Sequence, residues 1–304
     1  SVEEYETLVQ IVLTRDNDLG KRKQEVELQA SRYNAQVKQL VCGEFEDAAN
    51  GLIELLQCSE DELYDKVKGG LPAMLAEAGA YGNAEVSELY DYVINQPASA
   101  KQYPNGVRDE AREGMRLADF MAHEYVKIAK LTEPEVAALR LYTTIVFLHI
   151  NAPMRDRDRI NAGTAHPLAV TVEHLTRALK KLRRIDASKA SATENQTLWR
   201  GMKEVAVTEQ FSAKGGTELS PMSTSGNFYT AIEYAMSGRS LVFCLKTKNK
   251  LQRGVELSWV SAFPNEEEIL FPPLTYLQPT GQTQEVEIDG MHFTFVEVEP
   301  TIAA

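Results

Sequence analysis

The sequence predicts an α+β protein, all-helical in its N-terminal part and built on an antiparallel sheet in its C-terminal part. Three observations predict it. From Val2 to about Ile185 apolar residues return every three or four positions, as in Val37, Val41, Phe45, Ala48, Leu52 and Leu55, the spacing of amphipathic helices. Beyond the polar stretch DASKASATENQT (186–197), which reads as a linker, the period shortens to β-branched and aromatic runs that often alternate. Between two of these runs stands Asp289-Gly290, a hairpin-turn signal.

The helical part breaks where Gly, Pro, Asn and Ser gather: at Gly69-Gly70, at QPASAKQYPNG (96–106) and at Asn161-Ala162-Gly163. A helix start is written at Thr132, which can cap, with Glu135 completing a capping box and Pro134 tolerated in the first turn. That helix is expected to run to about Asn151, with Pro153 stopping it. In RALKKLRR (177–184), cations end a helical pattern whose Leu175, Leu179 and Leu182 share a face, and they complement the helix dipole. The expected strands are LVFCLKT (241–247), GVELSWV (254–260), EEILF (267–271), EVEI (285–288) and MHFTFVEVE (291–299). Three segments follow: a helical region 1–105 of unassigned role, a helical lobe 106–187, and a β-rich core 188–304.

Composition narrows the function. The chain of 304 residues carries a formal charge of -12, which argues against the clustered cations a nucleic-acid partner requires. Cys42, Cys58 and Cys244 show no CxxC spacing, so reduced, cytosolic thiols are expected rather than disulfides or zinc. The five histidines (His123, His149, His166, His174, His292) lack paired metal spacing, and His149 reads as a satisfied core residue. There is no GxGxxG or GxxxxGK[ST], no apolar run of membrane-spanning length, and no basic-then-apolar leader pattern in SVEEYETL.

Three local features remain, in order: LWRGM with Arg200, PMSTSGNFYTAIEYA with Ser223-Thr224-Ser225, and FPNEEEILFPP with Glu266 and Glu268. Together they resemble the arginine-specific mono-ADP-ribosyltransferases, in which an Arg on the first core strand, an S-T-S on the next and an E-x-E before a later strand mark the site. The helix ALRLYTTIVFLHINAPMR is similar to the family's helical-lobe pattern, with Met154 in place of a Leu before Arg155 and Phe147 where a Tyr is common in toxin members. The resemblance spans roughly residues 130–300. It implies a split antiparallel β-sandwich core with NAD between the sheet and the helical lobe.

The resemblance also implies roles, and physical chemistry supplies a reason for each. Arg200, followed by Gly201, pairs the NAD pyrophosphate, because a guanidinium offers a planar fork of donors and stays charged. Glu268 faces the positive charge that develops on the ribose as nicotinamide leaves. Ser223 restrains Glu268, and Thr224 and Ser225 complete the NAD-binding triplet. Glu266, two residues earlier on an extended chain, shares the side of Glu268 and can orient an incoming guanidinium, while Glu267 points away and is dispensable. Asn151 takes a cofactor-contact position. Phe228, Tyr234 and Phe263 are candidates to stack on nicotinamide, with core of a short helix, opened by a capping box at Thr230 and Glu233, the favoured reading of Tyr234.

The expected function is transfer of ADP-ribose from NAD to an arginine of a target protein, without a metal. NAD hydrolysis, or a non-catalytic module carrying a transferase-like domain, are the alternatives. Residues 1–105 could contact the target or an activator, and the site of action is the cytoplasm or, for a secreted effector or toxin, a host cytosol.

Overall fold

Helix ends fall where the chain supplies a cap. The computed structural model describes residues 2–15, 51–95, 112, 114–188, 195–288 and 290–302. The helices are α1 (Val2–Arg15), α2 (Gly51–Leu56), α3 (Glu60–Lys68), α4 (Gly70–Tyr81), α5 (Ala84–Asn95), α6 (Leu117–Met121), α7 (Glu124–Ala129), α8 (Glu133–Tyr142), α9 (Val146–Arg155), α10 (Arg157–Asn161) and α11 (Ala169–Ser188). Two more, α12 (Glu209–Lys214) and α13 (Phe228–Ala235), lie among the strands. The Thr132 capping box forms as read, with Glu135 accepting from the Thr132 amide at 2.8 Å. Gly69 and Gly70 separate α3 from α4, and Gly163, at φ 67°, follows α10. The break expected at 96–106 lies outside the described residues.

The helix expected to run unbroken from Thr132 to Asn151 is instead two. Thr143 and Thr144 turn their hydroxyls back onto the carbonyls of Arg140 (2.8 Å) and Leu141 (2.7 Å), and Thr144 Oγ1 accepts from the Val146 amide. Short polar side chains that bond nearby backbone compete with the helical ladder, and here they end α8 and restart the chain as α9. Pro153 does not stop α9 but sits inside its last turn. Helix α11 likewise outruns its basic stretch to Ser188, and β1 begins at Gln196, so both ends of the predicted linker are regular structure.

Buried side chains of α2 to α11 form one core, which includes Tyr90, Leu139 and Leu179 and extends onto Leu219, Leu257, Trp259 and Leu270 of the β part. Helix α1 does not join it. Its Tyr5, Leu8 and Val9 pack on the sheet with Trp199, Phe228, Phe293 and Phe295, Tyr5 stacking on Phe295 at 4.4 Å between centroids. The described residues among the first hundred therefore serve two different bodies: α1 covers the sheet, and α2 to α5 complete the helical lobe.

The strands are β1 (Gln196–Lys203), β2 (Gly216–Glu218), β3 (Met222–Ser225), β4 (Arg239–Thr247), β5 (Val255–Glu256), β6 (Glu268–Phe271), β7 (Thr275–Ile288) and β8 (Met291–Thr301), in the sheet order β2-β7-β8-β4-β1-β3-β6-β5. The sheet is mixed: β4 and β8 run parallel and every other pair antiparallel. It is close to divided between β1 and β3, which meet at the single pair Trp199–Ser225. Ile288 pairs with Met291 across the predicted hairpin, with Gly290 at φ 77°; Asp289 itself lies outside the described residues. Of the expected strand 254–260 only Val255 and Glu256 pair; the chain then turns, with the Val260 and Ser261 amides bonding back to the Leu257 carbonyl.

Gly201 decides how α13 meets the sheet. A Cβ on it would stand 1.8 Å from the carbonyl oxygen of Ala231, so the missing side chain is what lets α13 lie directly on β1.

Candidate active site

Where β1 and β3 cease to pair, a side chain spans the gap: Arg200 Nη1 donates to the Ser223 carbonyl at 2.9 Å. From the neighbouring strand, Ser223 Oγ donates to Glu268 Oε1 at 2.7 Å. Three strands thus place Arg200, Ser223 and Glu268 in one contiguous cluster. Glu268 is 9% exposed. Burial pushes its carboxyl up to about 7; the Ser223 hydrogen bond acts the other way, and the Glu266 charge adds to the rise.

Glu266 reaches this cluster by a route the sequence reading did not foresee. The chain is not extended before Glu268: Pro264–Glu266 is a 3₁₀ turn, and Glu267 is left-handed at φ 49°. Period-two alternation therefore cannot be what relates the two carboxylates. Ser225 Oγ instead donates to the Glu266 carbonyl at 2.7 Å, and the hydroxyl of Tyr234 donates to Glu266 Oε1 at 2.8 Å. Glu267 is exposed. The helical lobe fixes the loop before this turn, with Arg140 Nη1 donating to the Val260 carbonyl at 3.2 Å and the Ala262 amide donating to Thr143 Oγ1 at 3.1 Å.

Tyr234 is not core. Helix α13 is capped by Asn227, whose side chain accepts from the Tyr229 amide, and not by Thr230. Its buried face is Phe228, Ala231, Ile232 and Ala235, which turns Tyr234 outward to 53% exposure. Desolvation of the phenol first, then the charge and hydrogen bond of Glu266 and the charge of Glu268, push its pKa up, so it keeps its proton and remains a donor.

A second group of charges adjoins Arg200. Glu218, at the end of β2, accepts from Arg155 Nε at 2.9 Å and from Ser220 N and Oγ at 3.1 and 3.0 Å, and stands 3.8 Å from Arg200 Nη2. Burial raises the Glu218 carboxyl, but Arg155 and Arg200 outweigh it and hold the group below its ordinary value. Two guanidinium groups against one carboxylate leave one positive charge in excess. Burial lowers Arg200, the effect of Glu218 notwithstanding.

Tyr142 links the two groups. Its hydroxyl donates to the Pro221 carbonyl at 3.0 Å and accepts from Asn151 Nδ2 at 3.1 Å; burial raises it, and the charges of Glu268, Arg200 and Arg155 all act on it. Asn151 Oδ1 and Arg155 Nη2 are buried without a hydrogen-bond partner. Buried polar groups in that condition call for a ligand or another explanation.

Other predicted residues lie elsewhere or do other work. Thr224 Oγ1 bonds the Ile269 carbonyl at 2.8 Å, a contact within the sheet. Gly201 serves the packing of α13. Phe228 is not brought to the cluster: its ring is enclosed by Trp199, Phe295 and Tyr5 beneath α1. Phe263 is half-buried at the head of the turn that carries Glu266. Phe147 is exposed, 6.3 Å from the Tyr142 ring between centroids, and His149, half-buried rather than core, shares a hydrogen bond with the Tyr81 hydroxyl at 3.0 Å. The sequence reading missed Arg155, Glu218 and Tyr142 as site residues, and favoured core for Tyr234. For Arg155 a signal existed, since it lies four residues after Asn151 on one helix face. For Tyr234 the spacing of apolar residues at 228, 231, 232 and 235 would have turned it outward.

The family model of the NAD:arginine ADP-ribosyltransferases matches residues 65–292, three quarters of the chain. The chain belongs to that family. Its match begins well ahead of residue 130, where the sequence resemblance was first readable, and takes in α4 and α5. Among solved structures, the transferase is similar to the ADP-ribosyltransferase HopU1 of Pseudomonas syringae pv. Tomato DC3000, at 17% identity over 60% of this chain and 88% of that one, with a TM-score of 0.43. It is also similar to the eucaryotic mono-ADP-ribosyltransferase ART2.2 (18% identity, 81% and 88%, TM-score 0.48). A third is the type III effector XopAI of Xanthomonas axonopodis pv. citri (14% identity, 92% and 98%, TM-score 0.47). No curated protein sequence matches the chain. The transferase uses NAD as co-substrate, and among its described residues no helix is long and apolar enough to cross a membrane.

Proposed function

We propose that this transferase moves ADP-ribose from NAD to an arginine side chain of a target protein and releases nicotinamide. The observation that carries the reading is the unequal pair of carboxylates: Glu268 buried and tied to Ser223, Glu266 at the half-exposed mouth, held by Tyr234 and Ser225. A buried carboxylate suits the reacting ribose, and one at the mouth suits a cationic acceptor arriving from solvent.

The remaining residues fit the co-substrate. The excess positive charge of Arg155, Glu218 and Arg200 suits a pyrophosphate, and the unpartnered Arg155 Nη2 and Asn151 Oδ1 supply a donor and an acceptor within reach of the same cluster. NAD supplies the ribosyl carbon whose bond to nicotinamide is broken. Glu268, once ionised, faces the charge that develops there; Ser223 fixes its rotamer; Glu266 takes the proton the guanidinium loses on forming the new C–N bond. In this reading the catalytic core is 188–304 with 106–187 as its helical lobe, and the reaction takes place in a cytosol, the cell's own or a host's.

The test is incubation with labelled NAD and a cell lysate, comparing the wild type with Glu268→Gln and Glu266→Gln. Label is expected on a protein band with the wild type alone, removable by an arginine-specific ADP-ribosyl hydrolase. Full labelling by Glu268→Gln would sink the mechanism, and label resistant to that hydrolase would sink the arginine acceptor.

A further inference from the structure

Three features place Tyr234 at the acceptor end of the site. Its hydroxyl donates to Glu266 Oε1 at 2.8 Å, the residue is 53% exposed, and the charges of both Glu266 and Glu268 act on it. The helix that carries it lies on β1 only because residue 201 is glycine, and this close approach sets how far the phenol reaches toward the turn 264–266.

We infer that Tyr234 is the positioning residue for the acceptor: its hydroxyl orients Glu266, and its ring stacks on the incoming guanidinium. The inference rests on the arginine-acceptor reading above and deepens it. The physical case has two parts. Glu266 follows a single 3₁₀ turn and precedes a left-handed residue, so the local backbone does not repeat and gives the carboxylate little regular support. A charge-assisted hydrogen bond from a side chain on a rigid helix supplies what the loop does not. The same half-exposed aromatic residue lies beside two carboxylates, a setting in which a planar cation that stacks on the ring gains from the ring and from charge together.

In the transfer step the guanidinium nitrogen bonds to the ribosyl carbon as the bond from that carbon to nicotinamide breaks. Nicotinamide leaves with the electron pair, neutral, and the guanidinium proton passes to Glu266. Tyr234 neither gains nor loses a proton. It decides where the carboxylate and the guanidinium stand when the bond forms. Hydrolysis of NAD, in which water is the acceptor, needs neither placement, so Tyr234 should govern the ratio of transfer to hydrolysis.

The experiment uses the whole chain with NAD and agmatine, a small guanidine acceptor, and follows both nicotinamide release without acceptor and label on agmatine. Tyr234→Phe keeps the ring and removes the hydroxyl; Tyr234→Leu removes both; Glu266→Gln is run in parallel. With Phe, kcat/KM for agmatine is expected to fall about ten-fold, as for loss of a hydrogen bond to a charged group, while the KM for NAD in hydrolysis moves less than about two-fold. With Leu, the KM for agmatine should rise further. If Glu266→Gln loses transfer but Tyr234→Phe transfers like the wild type, the positioning role is wrong and the arginine reading stands. If neither variant loses transfer, the arginine reading itself falls. An equal fall in transfer and in hydrolysis for Tyr234→Phe would mark the residue as merely structural and overturn the inference.

Discussion

Glu218→Gln removes the negative charge between Arg155 and Arg200 while preserving the side chain's size. The wild-type carboxylate contacts Arg155 Nε at 2.9 Å and lies 3.8 Å from Arg200 Nη2, with its side chain 12% exposed. Removing one partner of a buried ion pair costs about 3–5 kcal/mol, because the other charge stays buried uncompensated. Two points set the value at the low end. The glutamine oxygen can still accept from Arg155 and Ser220, and Arg155 is 26% exposed, so water screens part of its charge. A loss of about 3 kcal/mol is expected in urea unfolding without ligand, a large share of a typical domain's stability. Saturating NAD brings its own negative charge to the same two guanidinium groups. It should therefore restore about half of that loss or more in the variant, beyond what it adds to the wild type. Equal stability of the two proteins without NAD would refute the claim that Glu218 carries the charge balance. Equal stabilisation of both by NAD would refute the placement of the pyrophosphate at these arginines.

Further outcomes follow from the same geometry. In the proposed mechanism Glu268 acts as the carboxylate, and its carboxyl is raised to about 7, so kcat/KM should fall on the acid side through that pH. Ser223→Ala removes the hydrogen bond that favours the charged form, so the acid limb must move to higher pH; an unmoved or lowered limb contradicts the assigned cause. For stability the sign is reversed: a carboxyl raised in the folded state contributes less as pH climbs from the ordinary carboxylate range through about 7, and Glu268→Gln should flatten that decline in pH-dependent unfolding. Gly201→Ala sets a methyl against the Ala231 carbonyl and should cost about 1–3 kcal/mol by overpacking, with α13 displaced and agmatine modification lost. Thermal unfolding and transfer together check it, and a variant with wild-type values of both would show that α13 can retreat freely.

Legibility in the sequence followed the range of the interaction. The capping box at Thr132 and Glu135 spans three residues and formed as read. Arg200, Ser223 and Glu268 could be picked out as one group because each sits in a short, recognisable stretch, and the structure does bring the three together. The relation of Glu266 to Glu268 rested on a wrong premise: alternation along a strand was assumed, where a 3₁₀ turn and a left-handed Glu267 stand. Phe228 looked available because it follows the serine triplet closely, and only α1, more than two hundred residues away in sequence, reveals what occupies its ring. Glu218 gave no local sign of its charge partners, since Arg155 and Arg200 come from α9 and β1.

The sequence by itself determined that this chain is helical first and sheet last, and which stretches supply Arg200, Ser223 and Glu268. Those properties depend on side-chain periodicity, caps and residue types within a few positions of one another. The tertiary structure alone decided that Glu218 balances two arginines, that Tyr234 holds Glu266, and that α1 lies on the sheet. Each of these joins elements far apart along the chain, and such contacts are set by how helices and strands pack, which no local pattern records.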